Sequence, residues 1–333
     1  MTFAIAILNH NGSVLLKRFL SKVIENCQDA QIYIIDNKSS DDSIDLISKN
    51  YPEINIIELD ANHGYAEGYN KGVKLIAEDV IIFLNNDAVF LDKQSYNEIY
   101  KTFNSNDDIS IAQPRIIDYN NHNKYEYAGA SGGYIDLLGY PFCRGRIINN
   151  VESAEKYRTT REIFWASGAC FVIRRKIFNK LNGFDNDFFC HMEEIDLCWR
   201  LKNIDNDKKI VTIGKSQVFH IGGGTMQYDN PNKNYLNFRN SIMMLIKNLP
   251  LGYLAPVIIF RILFDLIILI FSFLTLNFNL SFSILKAYYY NLINFRINFL
   301  KRIKSKKSKK YYYCKSILIS YYLLGKKTFS SLK

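Results

Sequence analysis

Three carboxylates crowd into four positions of this chain: Glu193, Glu194 and Asp196. Carboxylates this close repel one another, which raises at least one pKa and suits that group to proton transfer. The same spacing also describes an acidic first turn of a helix, which the helix dipole favours. A second set follows the apolar run Val80–Leu84, which ends in Asn85, Asn86 and Asp87. A carboxylate at the exposed end of a strand suits a hard cation, and Mg²⁺ or Mn²⁺ on oxygen ligands would bridge the two phosphates of a nucleoside diphosphate. One carboxylate does not make a metal site, so further ligands must come from elsewhere. His220, just ahead of the run Gly222-Gly223-Gly224-Thr225, is a candidate for metal or phosphate; a satisfied loop histidine is the ordinary reading. Asp36 opens the run DNKSSDDS. It can accept hydrogen bonds from a base or ribose, or simply make a turn and cap a helix. Gly64, Gly68 and Gly72 stand four apart around Asn70. Such glycines let backbone approach a ligand closely, although this is neither a G-x-G-x-x-G fingerprint nor a G-K-[ST] phosphate loop.

These residues need elements to hold them. Phe3–Leu8 reads as a buried strand stopping at Asn9, with Ser13 able to cap the helix that follows. Ile32–Ile35 is a second strand ending at Asp36, followed by a helix capped from Ser40-Asp41-Asp42; Ile54–Leu59 and Val80–Leu84 are a third and fourth strand. Strands alternating with helices at this spacing predict an α/β fold, a mostly parallel central sheet flanked by helices. In such sheets ligands bind at the carboxyl ends of the strands, here marked by Asn9, Asp36 and Asp87. Farther on, Trp165-Ala-Ser-Gly168 makes a small-residue turn ahead of another apolar strand.

The 333 residues, 48% of them hydrophobic, are enough for a large buried core. Net charge is +10, and Arg296 to Lys310 alone carries eight basic residues. A solvated surface run is one reading; attraction to anionic lipid, about 1 kcal/mol per basic residue near the surface, is the sharper one. No recognition helix or single-strand-binding motif accompanies the charge, so nucleic acid is not an expected partner. The six cysteines show no C-x-x-C pair, and the N-terminus has neither a basic n-region nor a long apolar run. Both point to the cytoplasm. From Leu251 the chain turns strongly apolar, long enough by count to cross a bilayer but interrupted by Arg261 and Asp265, which stand four apart and can pair on one helix face. The expectation is a helix that lies on or re-enters the inner membrane face, favoured over a full span, with a buried core helix also open.

The ordered set ILNHNG, IIDNKSSDDS, NHGYAEGYNKG, FLNNDAVF, SGACFVIRRKIFNKLNGFDNDFFCHMEEIDLCWR and HIGGGT, with Tyr235-Leu-Asn-Phe-Arg239-Asn240 as an aromatic-x-x-Arg-Asn element, resembles family 2 glycosyltransferases of the GT-A fold, particularly rhamnosyltransferase-like members. The resemblance runs from about Phe3 to Asn240. It implies a GT-A domain over residues 1–240, with a nucleotide-sugar-binding half at 1–110 and an acceptor and catalytic half at 111–240. A helical, apolar, basic and membrane-associating region would fill 241–333. It implies that Asn9, Asp36, Gly64, Gly68, Asn70 and Asn86 surround the donor, and that Asp87, Asn85 and His220 hold Mg²⁺ or Mn²⁺. Glu194 falls at the catalytic base, with Trp165, Glu193, Asp196 and Arg239 at acceptor or supporting positions. The implied reaction is an inverting transfer from a UDP- or dTDP-sugar, dTDP-rhamnose by similarity, to a glycan or polyprenyl-linked saccharide.

Two departures accompany the resemblance. The family's D-x-D is Asn-Asn-Asp here, and the base is Glu, one methylene longer than the usual Asp. The processive Q-x-x-R-W element is missing from the sequence, which favours adding one sugar or a few. Two competing readings keep a similar core: a catalytically inactive nucleotide-binding scaffold of an envelope assembly complex, and a sugar-phosphate nucleotidyltransferase. The second expects a Gly- and Arg-rich loop after the first strand, which ILNHNGSVLLKR does not resemble.

Overall fold

A computed structural model of the chain describes residues 1–222, 231–303 and 310–332. Gly223, Gly224 and Thr225 of the glycine run, and residues 304–309 of the basic run, lie outside the described residues.

The first half alternates as expected: β1 (Phe3–Asn9), α1 (Ser13–Asn26), β2 (Ala30–Asp36), α2 (Ser43–Asn50), β3 (Asn55–Glu58), α3 (Gly64–Val73) and β4 (Val80–Asn85). Then come β5 (Ala88–Val89), α4 (Lys93–Ser105) and β6 (Ile109–Asp118). A small antiparallel sheet follows, of β7 (Gly133–Ile135), β8 (Pro141–Cys143), β9 (Arg146–Ile147) and β10 (Asn150–Val151). The main sheet is completed by β11 (Arg161–Glu162), β12 (Cys170–Arg174) and β13 (Lys209–His220), with α5 (Arg175–Lys180) and α6 (Glu193–Ile204) between the last two.

The main sheet runs β11-β13-β6-β12-β4-β1-β2-β3, with β5 on β13. Pairs β1/β2, β1/β4, β2/β3 and β6/β13 are parallel. β12 enters antiparallel between β4 and β6, which makes the sheet mixed and brings its start beside the end of β4. Helices cover both faces. Phe3 meets the rings of Tyr96, Tyr100 and Phe103 on α4. Phe83, paired in register with Ala6 and so on the opposite pleat, meets Tyr69 of α3 and Phe178 of α5.

Two start signals act differently from expectation. Ser13 is the first helical residue, not a cap, and its N–H donates to Asp41 Oδ2 at 3.0 Å. Asp42 holds the cap position of α2, but the adjacent Asp41 accepts from the Ser43 N–H at 3.1 Å. Short polar side chains in a turn compete for the same donors, so the sequence leaves open which of them wins.

Beyond the sheet lie α7 (Pro231–Asn248), α8 (Leu251–Leu274), α9 (Phe278–Ile293), α10 (Phe295–Leu300) and α11 (Ile317–Tyr322). The expected boundary at 240/241 falls inside α7. The C-terminal residues return to the small sheet: Tyr313 N–H donates to Ile135 O at 2.9 Å, and Ile317 N–H to Asp136 Oδ2 at 2.9 Å. The expected Arg261–Asp265 pair forms at 2.9 Å, buried on the inner side of α8.

Candidate active site

The carboxyl ends of β1, β2 and β4 and the start of β12 meet at one edge of the sheet. Register places Asn9 opposite Asp36 and Leu8 opposite Asn85. Asn9 is fully buried and donates to Asp36 Oδ1 at 3.2 Å and to Ser39 Oγ at 3.1 Å; Asn86 donates to Asn9 Oδ1 at 3.3 Å. Asp36 Oδ2 also accepts from Ser39 N–H at 2.9 Å. This carboxylate therefore organises its own loop, as the turn reading expects, while standing at the strand end where a ligand would arrive.

The glycines are used for packing. A Cβ on Gly68 would lie 2.9 Å from Leu8 Cδ1, and one on Gly72 would lie 2.3 Å from Ile35 Cδ1. Their spacing seats α3 directly on β1 and β2. Gly64 has φ +69°, and a Cβ there would strike the Phe189 ring at 2.5 Å. Asn70 spans two segments: its Nδ2 donates to Phe184 O and Asn186 Oδ1, both at 2.7 Å, and its Oδ1 accepts from Phe184 N–H at 2.9 Å. In the structure these residues hold α3 against the sheet and against the segment leading to Glu194.

On β13, His220 faces two carboxylates. Nε2 lies 3.0 Å from Asp87 Oδ1 and Nδ1 lies 3.1 Å from Glu126 Oε2, all three residues being buried. Burial works against charge on this ring, but the hydrogen bonds to Asp87 and Glu126 outweigh it and push the pKa up to about 10. Asn85 Nδ2 approaches His220 Nε2 at 3.4 Å. Glu126 carries no motif, and it reaches His220 across 94 residues of sequence. Its only sequence signal is its charge, and nothing local marks it.

The carboxylate cluster starts α6, with Met192 at the cap position. Its three acids part company. Asp196, fully buried, pairs with Arg200 at 2.7 Å and Lys247 at 2.9 Å; burial opposes its charge, but these cations hold its pKa below the ordinary value. Glu193 is 3% exposed, and desolvation together with Glu194 drives its pKa well up. Glu194 keeps partial exposure, and burial raises it to about 7 against backbone hydrogen bonds from its own N–H, Ile195, Gly168 and Met192. The expected repulsion thus acts at Glu193, while at Glu194 the rise comes from burial.

Glu194 and Asp87 are linked by a short run of contacts. Gly168 bonds Glu194, and the next residue, Ala169, accepts from Asn85 N–H at 3.1 Å, two positions from Asp87. Tyr65 OH donates to Gly168 O at 2.8 Å and closes this wall. Trp165 is buried behind it, its indole N–H donating to Tyr134 O at 2.9 Å and its ring filling the space where Gly133 has no Cβ. It supports the wall from inside.

The loop before α6 is strained. Phe189, His191 and Met192 have φ of 63°, 70° and 71°, a region that costs a non-glycine residue ~1–3 kcal/mol. α7 holds it there. Arg239 Nη2 donates to the carbonyls of Asp187 and Phe188, both at 2.8 Å. Asn240 Nδ2 reaches the carbonyls of Phe188, Cys190 and His191 at 3.0, 2.8 and 2.7 Å. From the other side Phe189 O accepts from the N–H groups of Tyr65 and Ala66 at 2.7 and 3.0 Å. Arg239 is therefore a positioning residue, and the adjacent Asn240 makes the larger share of the bonds.

The pair Asp87 Oδ1 and His220 Nε2, joined here by a hydrogen bond, would hold a divalent cation once Nε2 gives up its proton. Adjacent ligands on an octahedral ion with 2.1 Å bonds stand about 3 Å apart, the 3.0 Å observed. Among the described residues no group of three or more His, Cys, Asp or Glu side chains is arranged to hold a metal ion. The remaining ligands would be oxygens of a substrate or water, the usual way Mg²⁺ is held beside phosphates.

The sequence pattern of "Glycosyl transferase family 2" matches residues 4–181. The chain is 24% identical over 249 residues to the low-salt glycan biosynthesis hexosyltransferase Agl10 of Haloferax volcanii, covering 72% of this chain and 74% of that protein. It is 24% identical over 203 residues to the N-acetylglucosaminyl-diphospho-decaprenol L-rhamnosyltransferase of Mycobacterium tuberculosis, covering 56% of this chain and 66% of that one. Among solved structures, GalNAc-T7 with UDP, GalNAc and Mn²⁺ superposes with a TM-score of 0.56 at 18% identity, over 74% of this chain and 47% of that one. That likeness concerns the fold, which is the GT-A arrangement of a largely parallel sheet flanked by helices.

Proposed function

The chain belongs to glycosyl transferase family 2, and from that premise we propose that it moves one sugar, with inversion, from a UDP- or dTDP-sugar to a hydroxyl of a glycan or polyprenyl-linked saccharide. The observation that carries the proposal is the approach of a largely buried carboxylate raised to about 7, Glu194, to the Asp87–His220 pair at one sheet edge. A base near pH 7 and an anion-neutralising centre are the two groups a displacement at an anomeric carbon needs. The names of the hexosyl- and rhamnosyltransferase relatives support a hexose or deoxyhexose donor, and the decaprenol-linked substrate of the second supports a lipid-linked acceptor. The six free cysteines agree with a reducing compartment such as the cytoplasm.

In this reading Glu194 accepts the proton of the acceptor hydroxyl as its oxygen attacks the sugar from the face opposite the nucleotide. Glu193, kept neutral by burial, adds no second charge beside it. A Mg²⁺ or Mn²⁺ ion on Asp87 and His220, with Asn85 adjacent, would supply positive charge to the departing diphosphate. Asn9, Asp36 and Asn86 shape the strand ends where the nucleoside would sit.

The test is a calorimetric titration of the full chain with UDP and, separately, dTDP, with and without Mn²⁺. Binding of one nucleotide that depends on the ion is expected. A folded sample that binds neither nucleotide in either condition refutes the donor site. Glu126 gives a second expectation. A carboxylate on the far nitrogen of a ligating histidine fixes its tautomer, and its loss typically costs 10–100-fold in metal affinity. Glu126→Gln is expected to weaken Mn²⁺ binding by ~10–100-fold, read by the spectroscopic signal of free Mn²⁺ without substrate. Unchanged affinity removes the ion from this histidine.

A further inference from the structure

α8 and α9 carry an apolar surface that no other described part of the molecule covers. α8 is 24 residues long with a mean hydropathy of 2.7 over its most apolar stretch, of which only 22% is buried. Its buried positions Val257, Arg261, Asp265 and Ser272 make a single stripe along one side. That stripe is tied down along its length. Arg261 Nη1 donates to Ser241 Oγ on α7 at 2.9 Å, the hydroxyls of Tyr140 and Tyr288 donate to Asp265 at 2.8 Å each, and Ser272 Oγ meets Ser281 Oγ at 2.8 Å. α9 is fastened to α7 by Asn291 Nδ2 on Arg239 O at 3.0 Å. The inner sides of both helices thus face α7, and their outer sides are left to solvent. Phe260, Leu263, Ile267 and Phe271 on α8, with Phe282 and Tyr289 on α9, are 50–69% exposed.

We infer that this face is seated in the surface layer of an anionic lipid bilayer, with α8 and α9 lying in the membrane plane and not crossing it. Charge selects the occupant. Thirteen basic residues and no acidic one follow Asp265, while the chain as a whole nets +10, so the residues up to Asp265 sum to −3. Among the described residues Lys286, Arg296, Lys310, Lys315 and Lys327 are exposed. An apolar face on a C-terminal region whose exposed charges are all cationic complements acyl chains beneath acidic headgroups. A second copy would bring the same positive charge against itself. Length does not separate lying from crossing, because 24 residues rise about 36 Å. The stripe separates them: crossing would strip Arg261 and Asp265 of Ser241, Tyr140 and Tyr288 and leave the pair in hydrocarbon. This inference stands apart from the transfer reaction, since a soluble acceptor would leave it unchanged. If the acceptor is lipid-borne, docking holds α7 and the loop it braces behind α8 and α9, one helix layer from the surface that carries it.

The test uses the full-length chain, first checked for nucleotide binding, sedimented with vesicles of phosphatidylcholine alone or with phosphatidylglycerol. Binding at least about tenfold tighter to the anionic vesicles, weakened by salt, is expected. The double variant Phe260→Ser with Phe271→Ser is expected to lose most binding and keep its nucleotide affinity. Spin labels on Phe260→Cys and Phe271→Cys, each with Cys190→Ser and Cys314→Ser, should report equal, shallow depths. A crossing helix would separate those labels by about 16 Å in depth, which overturns the in-plane placement. Equal binding to both vesicle types overturns the anionic partner. A nucleotide-binding sample that sediments with neither, or a dimer that the serine pair makes monomeric, overturns the membrane surface altogether.

Discussion

Glu194→Gln is expected to lower sugar transfer by ~10²–10⁴-fold, the range of a general base, while nucleotide affinity stays at its wild-type level. The readout is release of nucleotide from the sugar donor whose nucleotide the titration identifies. Glutamine keeps the shape of the side chain and its backbone hydrogen bonds but cannot accept the acceptor's proton. Glu193→Gln is the matched control. Burial and Glu194 push its carboxyl well above the ordinary value, toward the neutral form that the amide copies, so a small loss is expected. Equal measurable rates for Glu194→Gln and the wild type would take the base role from Glu194, and transfer absent from both would favour the non-catalytic scaffold over the enzyme.

The pH profile carries the same expectation. With Glu194 raised to about 7, kcat/KM should fall about tenfold per pH unit below neutrality as the base becomes protonated. Stability must run the other way. Both glutamates are pushed above their ordinary value by burial, so the folded state binds protons more tightly than the unfolded chain. The contribution of these two groups to stability is therefore greatest below the ordinary glutamate value and declines as pH rises from there toward 7. Activity rising where stability falls marks the limb as proton transfer and excludes acid unfolding. In Glu194→Gln the limb should vanish, and a limb that persists with the same midpoint belongs to another group.

The parts of this molecule legible in the sequence are those whose signal is local. Phe3–Asn9, Ala30–Asp36 and Val80–Asn85 are apolar runs that stop at polar residues, and each is a strand whose end lines the site. Arg261 and Asp265 had to meet if their segment was a helix. The antiparallel entry of β12 was not legible, because periodicity gives a strand's existence and not its neighbours. Gly64, Gly68 and Gly72 carried a true signal of close approach, but the approaching group is Phe189, Leu8 or Ile35. Asn70, Trp165 and Arg239 were found as important positions, yet their partners are backbone carbonyls far away in sequence. Glu126 is the extreme case, since its role exists only through β13 running beside β6.

Asn240→Ala is expected to reduce kcat by about 100-fold, the scale of a small displacement of a reacting group, with the KM for donor nearly unchanged. The side chain touches no part of the strand-end donor region; it supports the chain that delivers Glu193 and Glu194. Its amide serves the carbonyls of Phe188, Cys190 and His191, and removal leaves buried acceptors without it, at roughly 1–3 kcal/mol of stability. A loop with Phe189, His191 and Met192 at positive φ has extended conformations close by in energy, and the α7 bonds oppose them. Once the amide is gone, relaxation of Met192 turns the first residues of α6 and moves the Glu194 carboxyl away from Gly168. Activity measured well below the melting temperature separates this from simple unfolding. If Asn240→Ala melts earlier yet keeps its kcat, the amide only holds the fold together. If kcat falls while donor KM and nucleotide affinity hold, the asparagine of this aromatic-x-x-Arg-Asn element acts through the loop, setting where the base stands.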